Sequence, residues 1–254
     1  MINALDKIFK KTNIYEANYI YIYSDFRYFF NSNKKNPEKS VKSLLELFTK
    51  KGITCVIPAF SYTTSGDFIV EKTKSKVGFL ANFLMRSFKY ERSEHPLFSF
   101  VSIGKNKKIV KNVGKSAFGK NSVHSRLYKK KTFFLNLFRP LKDGNTLVHR
   151  IEQKNNANYR YDKKFNTKVI KNKKILGSDF KAYVRKFKKK EDHVFTFKKI
   201  YKDLLNKDFM KHFIHKNEEI FIYNYDEFHG YLEKEYNKDN NIFIKKHLRS
   251  YSGK

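Results

Sequence analysis

The 254-residue chain has no tryptophan, a single cysteine, and only 24 acidic residues against 55 basic ones. Each shortage removes a class of protein. One cysteine, Cys55, excludes an internal disulfide, and its place inside the apolar run Ile53–Ile57 marks a buried thiol rather than a nucleophile. That run is among the longest apolar stretches and is strand-sized, far short of a bilayer span. The N-terminal MINALDKIFKK interrupts with lysine where a signal peptide needs unbroken apolar residues, so the chain reads as cytoplasmic. No G-x-x-x-x-G-K-[ST] or G-x-G-x-x-G is present, which removes the ordinary phosphate loops. The histidines at 95, 124, 193, 212, 215 and 229 are scattered and offer no ligand spacing, so no metal site is expected.

What is present is aromatic and basic. Phe (26) and Tyr (17) supply the large core side chains, and 40% hydrophobic residues over this length suffice for one substantial core. The formal charge is +31. It divides as +19 over residues 1–150 and +12 over 151–254, so it is spread rather than gathered in a tail. A spread positive field attracts anions of any kind, including nucleic acid, nucleotide cofactors and nucleotide-linked substrates.

Patterning predicts a strand at Asn18–Tyr23 and a polar loop NSNKKNPEKS. A helix follows, with Val41, Leu44, Leu45 and Phe48 on one face; it stops at Gly52 before a buried strand ITCVIPAF. Strand, helix, strand within about forty residues is a βαβ signature. Further helices are predicted at Val77–Phe88, Ser178–Phe187 and Tyr225–Tyr236. Further strands are predicted at Leu97–Ile103, Phe133–Phe138, Thr167–Ile170, His193–Phe197 and Ile220–Asn224. The polar segment QKNNANYRYDKK could pass for a linker, but no composition break divides the chain. The expected architecture is α/β, a single domain spanning 1–254, with a central largely parallel or mixed sheet flanked by helices.

Two features invite function. FKAYVRKFKKK sets aromatics among cations as a nucleic-acid platform does. Yet Phe180, Tyr183 and Phe187 share one helical face, which a core stripe explains better, and no nucleic-acid module signature accompanies them. The second feature is DGNTLVHRIEQ. His149 and Glu152 lie three residues apart, one helical turn, with Asn145 or Thr146 upstream as the N-cap. Alone, H-x-x-E also fits a capped surface helix with an incidental ion pair.

Other segments change that weighting. IPAFSYTTSGDF ends a buried strand in hydroxyls; ERSEHPLFSF packs Arg92, Ser93, His95 and Ser99 into eight positions; Ser24-Asp25-Phe26 turns after the first strand. In this order, with SLLELFTKKGITCVIPAFSY, FGKNSVHSRLY and NTLVHRIEQ, they resemble the aminoglycoside 3-N-acetyltransferase family. The likeness runs from about Tyr19 to Glu152 and more loosely beyond. Where the family commonly has a His-x-Ser turn, this chain reads Tyr23-Ser24-Asp25. The resemblance implies an acetyl-CoA-dependent enzyme that uses acetyl-CoA as cosubstrate and no metal. His149 would be the general base and Glu152 its partner. Ser24, Asp25, Phe26, Ser61, Arg92, Ser93, His95 and Ser99 would hold CoA, and Tyr62, Asn145 and Thr146 would meet the substrate.

Tyr159–Lys186 is similar to family members that acetylate nucleotide-linked deoxysugars, which implies a dTDP-linked amino sugar made for a surface glycan such as lipopolysaccharide. Expected partners are CoA and an amino sugar, without specific nucleic acid, and with room for a homo-oligomer. The rival readings are an aminoglycoside acetyltransferase, a non-catalytic relative and a nucleic-acid-binding module. Spread charge alone should make nucleic acid adhere at low salt without sequence preference and release near physiological salt. A filter-binding salt series checks this; sequence-selective binding that survives such salt would restore the nucleic-acid reading.

Overall fold

The computed structural model describes residues 1–32, 36–143, 145–186 and 191–248. Part of the predicted loop NSNKKNPEKS, the turn glycine Gly144 and the end of a predicted helix at Phe187 lie outside them.

The sequence Tyr-Ile-Tyr-Ile-Tyr at 19–23 alternates two large apolar residues with the strand period, and the fold uses both faces. Seven strands form the main sheet: β1 (Tyr19–Ser24), β2 (Thr54–Pro58), β3 (Glu91–Arg92), β4 (Phe100–Ile103), β5 (Thr132–Leu137), β6 (Met210–His215) and β7 (Glu218–Asn224). Their spatial order is β6-β7-β5-β1-β2-β4-β3. β1 runs parallel to β2 on one side and to β5 on the other. Antiparallel partners extend the sheet outward from both. The expected α/β sheet is thus mixed, with a parallel centre.

Ile20 and Ile22 point into one buried layer with Cys55, Leu135 and Ile222. Helices α1 (Ile2–Phe9), α2 (Pro37–Thr49) and α3 (Phe79–Ser87) close it, through residues such as Phe9, Leu44, Leu45 and Leu84. α2 begins with Asn36 Oδ1 accepting from Lys39 N at 3.0 Å and Pro37 at its first position, and the turn that follows its end at Thr49 passes through Gly52 with φ +78. Tyr19, Tyr21 and Tyr23 point the other way, into a layer under α4 (Val123–Leu127), α5 (Leu147–Lys154) and α6 (Tyr225–Lys238). Tyrosine carries a hydroxyl that must be met when buried. That side of the sheet is therefore both apolar and hydrogen-bonded.

Beyond the sheet sit smaller ladders: Ser65–Ile69 with Asn166–Lys171 and Lys174–Gly177, Arg160–Lys164 with Lys181–Arg185, and Glu191–Phe195 with Ile244–Leu248. The predicted helix at Ser178–Phe187 is one of these strands, which is a correction. Lys181 bonds Lys115 O through its N–H and Ala117 N through its carbonyl, at 2.9 and 3.0 Å, besides its ladder to Lys164. Two extended neighbours outbid the helical spacing of Phe180 and Tyr183. The polar stretch QKNNANYRYDKK is also structure, since Ala157 and Tyr159 are buried. Among the described residues no helix is long and apolar enough to cross a membrane.

Gly104, just past β4, has φ +108, and a Cβ there would lie 2.6 Å from the Ile53 carbonyl oxygen and 2.9 Å from Thr54 Cα. Both are backbone atoms of the approach to β2 and have no room to yield. Gly104→Ala should therefore cost about 2 kcal/mol or more, against about 1 kcal/mol for Gly52→Ala, where nothing lies within 4 Å. Urea unfolding of the two variants measures the difference.

Candidate active site

In an open sheet with a parallel centre, ligands bind outside the carboxyl ends of the strands, where neighbouring connections leave in opposite directions. β1 is that strand here, with its parallel partners on either side. A cavity of about 820 Å³ opens at its end. Its walls come from Ser24 at the end of β1 and Asp25 after it, Ile57 and Pro58 of β2, and Arg139 and Pro140 after β5. The start of α3 and the start of α5, with Asn145, Thr146 and His149, close the circle.

The tyrosine layer places α5. Tyr23 OH accepts from Thr146 N at 2.9 Å and lies 2.8 Å from Thr146 Oγ1, with Tyr21 OH 3.3 Å from the same oxygen. His124, fully buried on α4, meets Thr146 Oγ1 through Nε2 at 2.9 Å and Tyr225 OH through Nδ1 at 3.0 Å. Asn145 Oδ1 accepts from Leu147 N at 3.0 Å, and its Nδ2 donates to Tyr223 OH at 3.2 Å. Of the two predicted caps, Asn145 is the one whose side chain does the capping. Thr146 is instead held by three rings beneath it, which fixes the first turn of α5 over the sheet.

His149 stands on that turn between the rings of Phe118 and Phe195, whose centroids lie 5.1 and 6.1 Å away. Its Nδ1 is 2.7 Å from Glu152 Oε2, and the side chains are 20% and 0% exposed. Glu152 Oε1 accepts from Tyr159 OH at 3.0 Å, and Arg160 Nε lies 2.7 Å from Oε2. Burial pushes the Glu152 carboxyl up, but contacts with His149, Arg160 and Tyr159 outweigh it and hold the group ionised, below its usual range. Burial first, and then the Arg160 cation, lower His149; Glu152 pulls the other way without winning, and the net shift is downward. An ionised Glu152 takes the Nδ1 proton's hydrogen bond and leaves Nε2 as the basic nitrogen.

The other predicted residues divide. Ser24, Asp25, Phe26, Tyr62, Asn145, Thr146 and His149 line the cavity. Asp25 accepts from Arg27 N and Nε at 3.1 and 2.9 Å, a pairing that lowers its carboxyl. Ser61, Arg92, Ser93, His95 and Ser99 do not line it; all five are buried and their polar atoms are met internally. Arg92 donates to Ser99 Oγ, Val70 O and Ala59 O at 3.1, 3.1 and 3.0 Å, over the Phe68 ring. His95 Nδ1 accepts from Leu97 N and Phe98 N, and its Nε2 meets Lys181 O. Burial drives that imidazole down to about 4, so it stays neutral.

This segment reaches the cavity indirectly. Ser61 Oγ donates to Pro96 O, and Tyr62 N and Thr63 N bond Leu97 O and Pro96 O. These contacts hold Tyr62 at φ +49, a left-handed backbone that tyrosine adopts only under constraint, with its ring at the cavity. The patterned residues are thus the frame and Tyr62 is the exposed part. Sequence reasoning missed Arg139, whose guanidinium lies 5.3 Å over the Tyr23 ring, and Tyr159, Arg160 and His124. His124 lay inside the quoted FGKNSVHSRLY, and Tyr159 and Arg160 open the Tyr159–Lys186 stretch, but neither segment pointed to these side chains; Arg139 carried no signal. Among the described residues no group of three His, Cys, Asp or Glu is arranged to hold a metal.

The sequence profile described as aminoglycoside 3-N-acetyltransferase matches residues 24–235. Solved structures with similar folds include the YokD protein from Bacillus subtilis, 17% identical over 88% of each chain with a TM-score of 0.71. AAC-IIIb in a binary complex with CoASH is 14% identical over 94% of this chain and 96% of its own, TM-score 0.72. Sisomicin-bound AAC-VIa is 11% identical over 93% and 97%, TM-score 0.73. No curated protein sequence matches the chain. The environment of His149 has a direct consequence. Its imidazole should titrate below pH 6.5, the ordinary histidine value, being neutral above its midpoint and protonated as pH falls through it. An NMR titration, with the resonance assigned by its loss in His149→Ala, checks the sign; a midpoint above the ordinary value would contradict the site as described.

Proposed function

The chain belongs to the aminoglycoside 3-N-acetyltransferase family, and from there we propose that it moves an acetyl group from acetyl-CoA to the amine of a nucleotide-linked amino-deoxysugar, with His149 as general base. The observation that carries the chemistry is the 2.7 Å contact of His149 Nδ1 with a buried, ionised Glu152 at the edge of the cavity. An amine attacks a thioester only through its lone pair, so it must lose a proton as the new N–C bond forms. His149 Nε2 takes that proton, and Glu152 stabilises the imidazolium that results. Collapse of the tetrahedral adduct breaks the C–S bond. The CoA thiolate leaves and takes the proton back, giving an acetamide and a free thiol.

Attack is direct, with both substrates bound. Cys55, the chain's one thiol, is fully buried in the isoleucine layer on the other side of the sheet, and burial pushes its pKa up. A thiol so placed is neither ionised nor reachable and carries no acyl group.

The acceptor follows from charge at the cavity. Among the described lining residues the full charges are Arg27, Arg139 and Asp25, and Asp25 is already paired with Arg27. A polycationic drug needs free carboxylates to replace its water; an acceptor bearing a diphosphate is suited to guanidinium groups. The exposed ring of Tyr62 offers a stacking face for a base. Together with the likeness of Tyr159–Lys186 to members acting on nucleotide-linked deoxysugars, this cavity charge favours a dTDP-linked sugar of a surface glycan as the acceptor. An aminoglycoside is the second reading, favoured by the sisomicin bound to AAC-VIa.

His149→Ala should lower turnover by roughly 10²–10⁴, the usual worth of a positioned base, with the fold intact by circular dichroism. Glu152→Gln should lose less, because it removes the charge and keeps the shape. A folded His149→Ala protein with near-normal turnover would remove this mechanism. For the acceptor, equal concentrations of dTDP-linked amino sugars and free aminoglycosides are offered in competition. Faster acetylation of a free aminoglycoside than of every nucleotide-linked sugar would overturn the acceptor while leaving acetyl transfer in place.

A further inference from the structure

Arg160 falls in the polar stretch QKNNANYRYDKK, yet its side chain is 5% exposed. Its Nε lies 2.7 Å from Glu152 Oε2, the same oxygen that meets His149 Nδ1. Its Nη1 donates to the Tyr183 carbonyl at 3.0 Å, and its own N–H donates to Ala157 O at 3.0 Å. The strand it opens, Arg160–Lys164, is paired along its length with Lys181–Arg185. Tyr159, next to it, holds the other carboxylate oxygen. A surface ion pair has none of this scaffolding.

We infer that Arg160 is a positioning residue for His149: it fixes the Glu152 carboxylate in one orientation and offsets its charge, so that the imidazole is aligned by an anion without being made to keep a proton. A buried carboxylate beside a histidine, left alone, favours the imidazolium and turns a base into an acid. A guanidinium whose Nε lies 2.7 Å from the same oxygen, as an ion pair and without an aligned Nε–H hydrogen bond, cancels much of that field and leaves the lone pair to Nδ1. The charged and titratable groups facing His149 are Glu152 on its own helix, Arg160 and Arg185 from the paired strands, and His124 from α4. The two arginines lower its proton affinity and Glu152 raises it. Lysine would bring the charge but not the fork that spans Glu152 and the Tyr183 carbonyl.

This deepens the proposed reaction and rests on it for its kinetics, whereas the titration of His149 needs no substrate. The test compares the intact protein with Arg160→Met and Arg160→Lys. In Arg160→Met the NMR midpoint of His149 should rise by roughly one pH unit or more, and the acid limb of kcat/KM for acetyl transfer should move up with it. Arg160→Lys should keep the midpoint near that of the parent protein and lose roughly tenfold or more in kcat, because alignment is lost while charge is retained. An unmoved midpoint in Arg160→Met, whatever its loss of stability, overturns the inference. Should that variant fail to fold, Arg160→Lys decides: undiminished kcat denies the positioning role. Failure of the acetyl-transfer reading looks different, since the parent protein would then release no thiol whatever His149 does in the titration.

Discussion

A carboxylate with no exposed surface survives in a protein only when its lone pairs are met and its charge is offset. Glu152 is such a group, and much of the candidate site is arranged around it. His149, Tyr159 and Arg160 each contribute one contact of 2.7–3.0 Å. The hydrogen bonds from His149 and Tyr159 to the ionised group are worth about 1.5–3 kcal/mol each, Arg160 adds a close ion pair, and removing one partner of a buried pair costs about 3–5 kcal/mol. The cluster therefore has one stable arrangement rather than several. His149 inherits that rigidity and with it a fixed tautomer, while its burial and then the Arg160 cation set its proton affinity below the ordinary one.

The sheet supplies the other half of the constraint. Alternation along β1 sends isoleucines to one layer and tyrosines to the other, and the tyrosine hydroxyls need partners. Those of Tyr21 and Tyr23 find Thr146, at the head of the helix that bears His149. One choice at the level of sequence, tyrosine instead of another apolar ring, thus ties the parallel centre of the sheet to the base at the cavity. Positive charge is spread over the chain, but the cavity has its own local version: two arginines and a paired aspartate. Contact charge rather than net charge selects an acceptor, and here the two have the same sign.

The central βαβ unit, the capped helix of His149 and the pairing with Glu152 were legible in the sequence. Each rests on local spacing: alternation at 19–23, a helical stripe from Val41 to Phe48, and one turn between His149 and Glu152. Local spacing misled at Phe180 and Tyr183, where a helical interval sits on a strand whose backbone bonds two distant segments. The ERSEHPLFSF segment lies behind the cavity rather than on its wall. Its polar residues were noticeable because they are many, and they are many because the backbone around Ala59, Val70 and Leu97 needs partners. Polar density marked a frame rather than a surface. Arg139 left no trace among so many basic residues, and Arg160 lay in a flagged stretch without standing out within it; only long-range contacts distinguish them from the solvated lysines around them.

The most direct measurement of the account is thiol release from acetyl-CoA by the intact protein, followed with and without an amino-sugar acceptor. Direct attack through a neutral His149 predicts release only when an amine is present, with one acetamide formed for each thiol. Release at the same rate without any amine, or no release with every free and nucleotide-linked amino sugar offered, would contradict it.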